Sequence, residues 1–207
     1  VMPPIFIRLA NRGRNYYDGG PSQPVGTLRN IHIANLTATM HGLVTSSITG
    51  LDGHPVENVT LSNVHLICDG GGSAEHALNR NLPAREKEYP ETLIFADAPA
   101  SGLYIKNARG LRIQNLCLEV RQADPRSLLF IEQVDDAILD GVTLINPSGT
   151  PQLTLRNDND ILVEKLRETP GTTPAGIVVE GNNSRIAIEK ECPVKFADNA
   201  TKKCLLK

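Results

Sequence analysis

The chain has 207 residues, with 23 acidic against 21 basic side chains and a formal net charge of −2. That balance excludes the positive footprint of a nucleic-acid partner or an anionic membrane surface. No apolar run reaches the length of a membrane-spanning helix, and 17 Gly and 14 Pro mark many turns.

One phrase organises the chain. Asn30-Ile31-His32-Ile33-Ala34-Asn35-Leu36 recurs as Asn58-Val59-Thr60-Leu61-Ser62-Asn63-Val64 and as Gly110-Leu111-Arg112-Ile113-Gln114-Asn115-Leu116. Weaker copies start at Asp136 and Asp160, and a last echo is Arg185-Ile186-Ala187-Ile188. The copies begin at 30, 58, 110, 136, 160 and 185, so the steps are 28, 52, 26, 24 and 25; the long step is one period plus an insertion of similar size. A fixed period of this length predicts a solenoid.

Within each copy apolar residues alternate, as in Val59 and Leu61, which is the period of a strand with one buried face. One polar residue intervenes and a second apolar pair follows, as in Val64 and Leu66. The spacing predicts two short strands meeting at a one-residue corner, occupied by Asn35, Asn63, Asn115, Gly141 or Lys165. Asn and Gly tolerate the left-handed backbone of a tight bend, and stacked asparagines can bond to one another. A third strand-like stretch precedes most copies: Ile5 to Leu9, Ser46 to Thr49, Leu103 to Lys106, Leu128 to Glu132, Leu153 to Arg156 and Ile177 to Glu180. Three strands per repeat without a helix describe an all-β, single-stranded parallel β-helix of about six or seven coils. A leucine-rich repeat, the nearest competitor, places its Asn one residue later and needs a returning helix or 3₁₀ segment.

The chain therefore reads as one domain over 1–207, with an inserted loop at about 69–101 and an irregular tail at about 190–207. It opens Val1-Met2-Pro3-Pro4 almost directly into a strand, without the cap that natural solenoids carry, and so reads as the C-terminal portion of a longer β-helix. The insertion opens with Asp69-Gly70-Gly71-Gly72-Ser73 and is charged from Arg85 to Glu91. A long loop on a regular scaffold predicts a wall beside a groove. Of the cysteines, Cys117 is expected to face outward from its strand, and Cys192 and Cys204 stand close enough in sequence to close a short loop. Disulfide and free thiol both remain open for Cys68, Cys117, Cys192 and Cys204. No cysteine pair has zinc-ligand spacing, and no metal or organic cofactor is expected.

Several of these stretches resemble the polygalacturonase family of pectin-degrading glycoside hydrolases. Ile5-Phe6-Ile7-Arg8-Leu9, a Gly-bearing loop and Gly26-Thr27-Leu28-Arg29-Asn30-Ile31 resemble that family's Arg-Ile-Lys strand and the turn and strand after it. Gly50-Leu51-Asp52-Gly53-His54-Pro55-Val56-Glu57-Asn58-Val59 is similar to its Gly-Leu-Pro-x-x-Pro-Ile-Glu-Asn-Ile segment, and Gly102-Leu103-Tyr104-Ile105-Lys106 to the coil that follows. The resemblance covers roughly residues 5 to 145. It implies a right-handed helix, an extracellular or periplasmic monomer, a polysaccharide substrate, and inverting hydrolysis of O-glycosidic bonds in polygalacturonan or rhamnogalacturonan. The family's Asn-x-Asp, Asp-Asp and Gly-His-Gly motifs are not in the chain, which implies catalytic acids upstream of Val1 and none here. Phe6 stands where the family has its first cation and Arg8 where it has its lysine.

By the same resemblance the substrate lies along the first strand of each coil. The residues expected to touch it are Phe6 and Arg8, Tyr104 as a stacking ring, Lys106, and Arg12 and Arg14 overhanging from the loop. His54, Asp135 and Asp136 imitate family motifs without their flanks and read as turn residues, and His32 and His65 read as outward strand residues. A carbohydrate-binding solenoid without catalysis, or a purely structural one, are the alternatives.

Overall fold

The recurring phrase folds as one long bent strand rather than as two. The computed structural model describes residues 2–15, 17–21, 23–147, 152–167, 175–189 and 192–201. Its strands are β1 (Phe6–Arg8), β2 (Leu28–Met40), β3 (Ser46–Thr49), β4 (Val56–Cys68), β5 (Ala100–Val120), β6 (Ser127–Ile145), β7 (Gln152–Arg156), β8 (Asn159–Arg167), β9 (Gly176–Glu180), β10 (Ser184–Ile188) and β11 (Val194–Phe196). A five-residue helix, α1 (Ala74–Leu78), and a 3₁₀ turn (Thr92–Phe95) lie in the insertion.

The strands form one sheet in which every strand-to-strand pairing is parallel. One ladder runs β1-β3-β5-β6-β7-β9-β11, and a second runs β2-β4-β5-β6-β8-β10. β5 and β6 belong to both because each turns a corner partway along.

Corners make that possible. Asn35, Asn63, Asn115, Gly141 and Lys165 all have positive φ, from 50° to 74°, as the one-residue bend requires. Asn30, Asn58, Gly110, Asp136, Asp160 and Arg185 make a second left-handed row, and Asn107, Gln133, Asn157 and Gly181 a third that the repeat phrase does not contain. The asparagines are bonded in ladders: Asn63 Nδ2 donates to Asn35 Oδ1 at 3.1 Å and Asn115 Nδ2 to Asn63 Oδ1 at 2.9 Å. Gly110 replaces asparagine in the Asn30–Asn58 row because a Cβ there would stand 2.7 Å from Asn58 Oδ1.

Between corners the alternation does its expected work. Val59, Leu111, Ala137, Ile161 and Ile186 are paired in register from strand to strand, and each is at most 1 % exposed. The Val, Leu and Ile side chains among them each contribute about 1.5–3 kcal/mol relative to exposure. The tail is less irregular than the sequence suggests, because Val194–Phe196 pairs with Ile177–Val179. Cys204 lies outside the described residues, so its pairing with Cys192 does too; Cys68 and Cys117 are free thiols, and Cys117 faces outward as expected.

Candidate functional site

Parallel register turns the outward positions of the first ladder into rows. One row runs Phe6, Ser47, Tyr104, Phe130, Thr154 and Val178; the next runs Arg8, Thr49, Lys106, Glu132, Arg156 and Glu180. Neighbours in a row stand about 4.8 Å apart. The register thus brings Phe6, Arg8, Tyr104 and Lys106 to one face, as the sequence predicts.

The second row alternates in charge. Lys106 Nζ stands 3.5 Å from Glu132 Oε2, Arg156 grips the other oxygen of Glu132, and Arg156 Nε is 4.0 Å from Glu180 Oε2. The Glu132 side chain retains only 5 % exposure. Sequence reasoning missed Glu132, Arg156 and Glu180, although the signal was present: each ends its predicted strand, in steps of 26, 24 and 24 from Lys106.

The insertion lies across these rows instead of standing beside them. Its base is pinned where the Gly72 N–H donates to Asp124 Oδ2 at 2.9 Å, and Ser73 caps α1 by accepting from the His76 N–H. Farther along, Leu82, Phe95 and Ala98 pack with Tyr104 and Phe130. The Phe95 and Tyr104 rings are 6.3 Å apart and the Tyr104 and Phe130 rings 5.9 Å.

This cover corrects one expected site residue. Tyr104 is 1 % exposed and donates its hydroxyl to Glu132 Oε2 at 2.8 Å, so it offers no ring face to a sugar. Burial, with Glu132 beside it, pushes its phenol far above the ordinary range. Phe6 is half-buried and packs against the same cluster, and Lys106 is held by Glu132. Arg8 is also committed: its Nη2 donates to Ala84 O at 3.1 Å and to Arg85 O, and its guanidinium lies 5.9 Å from the Phe95 ring centroid. Burial draws its pKa down, partly opposed by Glu88.

Outside the cover stand Arg12 and Arg14. Arg14 is exposed, and the Arg12 guanidinium lies over the Tyr89 ring, 4.9 Å from its centroid. The imitations of family motifs have structural work. Asp136 has φ 60° and holds Arg112 through both oxygens at 2.9 and 3.0 Å, while Asp135 accepts from Asn159 at 2.6 Å. His54 closes a turn with Leu51, its N–H donating to Leu51 O at 2.9 Å. His32 is exposed beside Ser62, and His65 is half-buried, 3.4 Å from Glu119. Among the described residues no group of three His, Cys, Asp or Glu could hold a metal ion.

Compared with protein-family models, curated proteins and solved structures, the chain matches none.

Proposed function

We propose that the chain forms the C-terminal part of a right-handed parallel β-helix, and that the whole protein is a secreted, monomeric glycoside hydrolase of pectic polysaccharide. One observation carries most weight. Phe6–Arg8, the strand that resembles the family's Arg-Ile-Lys strand, is in parallel register with Ser46–Thr49 and through it with Leu103–Lys106. Those are the strands that the resemblance assigns to the next two coils. Three left-handed corners per repeat and two parallel ladders support the solenoid. So does β2, which among the described residues pairs with β4 alone, its Ile31, Ile33 and Leu36 half-buried while Val59, Leu61 and Val64 beneath them are buried.

In this reading the catalytic acids lie upstream of Val1. One protonates the leaving oxygen while carboxylates on the far side of the sugar activate water, the groups standing roughly 6.5–9.5 Å apart. This chain supplies core and a covered first-ladder face, and of the residues expected to touch substrate Arg12 and Arg14 stand outside that cover to meet an acidic sugar. Arg8 acts at one remove, by fixing the insertion. The test is an assay of the full-length parent on polygalacturonate and rhamnogalacturonan, reading reducing ends and, by proton NMR, the anomer first released. Inverted product supports the reading, and the 207-residue chain alone is expected to release none.

A non-catalytic carbohydrate-binding solenoid is the second reading. It is favoured by the state of Glu132 and Glu180, the carboxylates on the covered face, each already held by cations. A parent that binds pectic sugar without releasing reducing ends would decide for it.

A further inference from the structure

The tip of the insertion and the loop after β1 meet as one wall. Arg8 Nη2 donates to the carbonyls of Ala84 and Arg85, and the Asn11 N–H donates to Glu86 O at 2.9 Å. On that wall Arg12 and Tyr89 stack. Folding alone accounts for neither partner. Tyr89 keeps 63 % of its surface exposed, so its ring is not there to fill a core. Arg12 Nε is buried without an acceptor, and among the described residues no hydrogen bond or ion pair reaches the guanidinium. The terminal Nη groups, which are not buried, can meet a carboxylate.

The surroundings narrow the ligand. Arg12 occupies one face of the Tyr89 ring, which leaves the other face for an apolar surface. Beside it runs a crevice lined by Arg85, Glu88, Tyr89, Glu91, Leu93 and Ile94. Glu88, paired with Arg85 at 3.3 Å, and Glu91 repel a dianion such as a phosphate ester more strongly than a single carboxylate, and accept hydrogen bonds from hydroxyl groups. A hexuronate carries the required parts on one rigid ring: a flat C–H face, hydroxyls and a single carboxylate.

We propose that Tyr89 and Arg12 form a binding platform for one uronic acid residue of a polysaccharide, the pyranose lying on the open face of Tyr89 and its carboxylate on Arg12. The choice of sugar rests on the pectic reading above. The platform adds Tyr89, on the insertion, to the groups that meet substrate.

Titration calorimetry of the 207-residue chain with trigalacturonate, and with the trimer whose carboxylates have been reduced to alcohols, tests it. Trigalacturonate is expected to bind about tenfold or more tighter than the reduced trimer. Tyr89→Ala and Arg12→Ala should each weaken binding by about tenfold, whereas Tyr89→Phe retains it and Arg12→Lys does not restore it. Melting curves check that the exposed Tyr89→Ala change leaves the fold intact. Equal affinity in wild type, Tyr89→Ala and Arg12→Ala would overturn the platform and leave the pectic reading standing. Binding of rhamnogalacturonan fragments that Tyr89→Ala and Arg12→Ala leave unchanged would do the same. A chain that binds no acidic sugar removes the platform, and the assay of the full-length parent then decides the pectic reading.

Discussion

Arg80 on the insertion and Glu180 on β9 form a two-pronged ion pair, Nε to Oε2 and Nη2 to Oε1, each at 2.7 Å. The two side chains keep 24 % and 13 % exposure, so water screens the pair only in part. Arg80 also lies 4.9 Å from the centre of the Phe130 ring. Because Glu180 ends the run of ion-paired residues Lys106, Glu132, Arg156 and Glu180, one contact joins the insertion to a chain of charges across four successive repeats.

Arg80→Ala is expected to lower the unfolding free energy by about 1–3 kcal/mol. It should also speed tryptic cleavage at Arg85 and Lys87, which are exposed on the tip. Glu180→Gln keeps an acceptor and should cost less. Urea titration and timed proteolysis measure the two effects. Unchanged cleavage in Arg80→Ala would mean that the packing of Leu82 and Phe95, with the hydrogen bonds from Arg8 and Asn11, holds the insertion without it.

The base of the insertion depends on a different pair. The side chains of Asp124 and Arg126 are 0 % and 1 % exposed, with Arg126 Nη2 2.9 Å from Asp124 Oδ2. Burial raises the Asp124 carboxyl, but Arg126 and the N–H groups of Arg126 and Gly72 outweigh it, leaving the pKa below its ordinary value. The folded chain thus binds this proton more weakly than the unfolded one. The stabilisation is full above about pH 4 and is lost as pH falls below it. Asp124→Asn is expected to cost about 3–5 kcal/mol by stranding a buried guanidinium, and to flatten the acid limb of a stability profile taken from pH 7 to pH 3. An acid limb as steep as wild type would assign that slope to other carboxylates.

What was legible in the sequence followed from local chemistry. The corner asparagines were readable because few residues accept positive φ, and the core because period-two alternation survives any tertiary context. The third corner row was not, since Asn107, Gln133, Asn157 and Gly181 share no phrase, and Gln133 has no intrinsic taste for φ 55°. Tyr104 was misread for a different reason. Alternation tells which side of a strand a residue is on, but not what crosses that side from a loop with no period of its own. Arg80 and Glu180 are one hundred residues apart, and nothing local announces that they meet.

Asn63 separates the two jobs of a corner residue. It has φ 54°, donates to Asn35 and accepts from Asn115. Asn63→Gly keeps the conformation and loses only exposed hydrogen bonds, for an expected cost of about 1 kcal/mol. Asn63→Val loses both and forces a β-branched residue into the left-handed region, for about 3 kcal/mol. Denaturant unfolding of the two variants side by side reads the difference. Equal losses would mean that the asparagine ladder, not the backbone, fixes the corner.

Cys68 ends β4 where the insertion departs, and its thiol reports on that junction. It is 2 % exposed, and burial pushes its pKa up to about 12, with Arg126 pulling the other way and Asp124, Asp69 and Glu119 adding to the rise. At pH 8 only about one thiol in ten thousand would be thiolate, so iodoacetamide should leave Cys68 unmodified in the native chain and label it in urea. Cys117 is half-buried and raised less far, and should label slowly, which peptide mapping can distinguish. Labelling of native Cys68 as fast as Cys117 would mean that the base of the insertion opens locally. The same reagent separates base from tip. In Arg80→Ala, Cys68 should stay protected while Arg85 becomes cleavable, because Asp124 and Arg126 hold the base without help from Glu180.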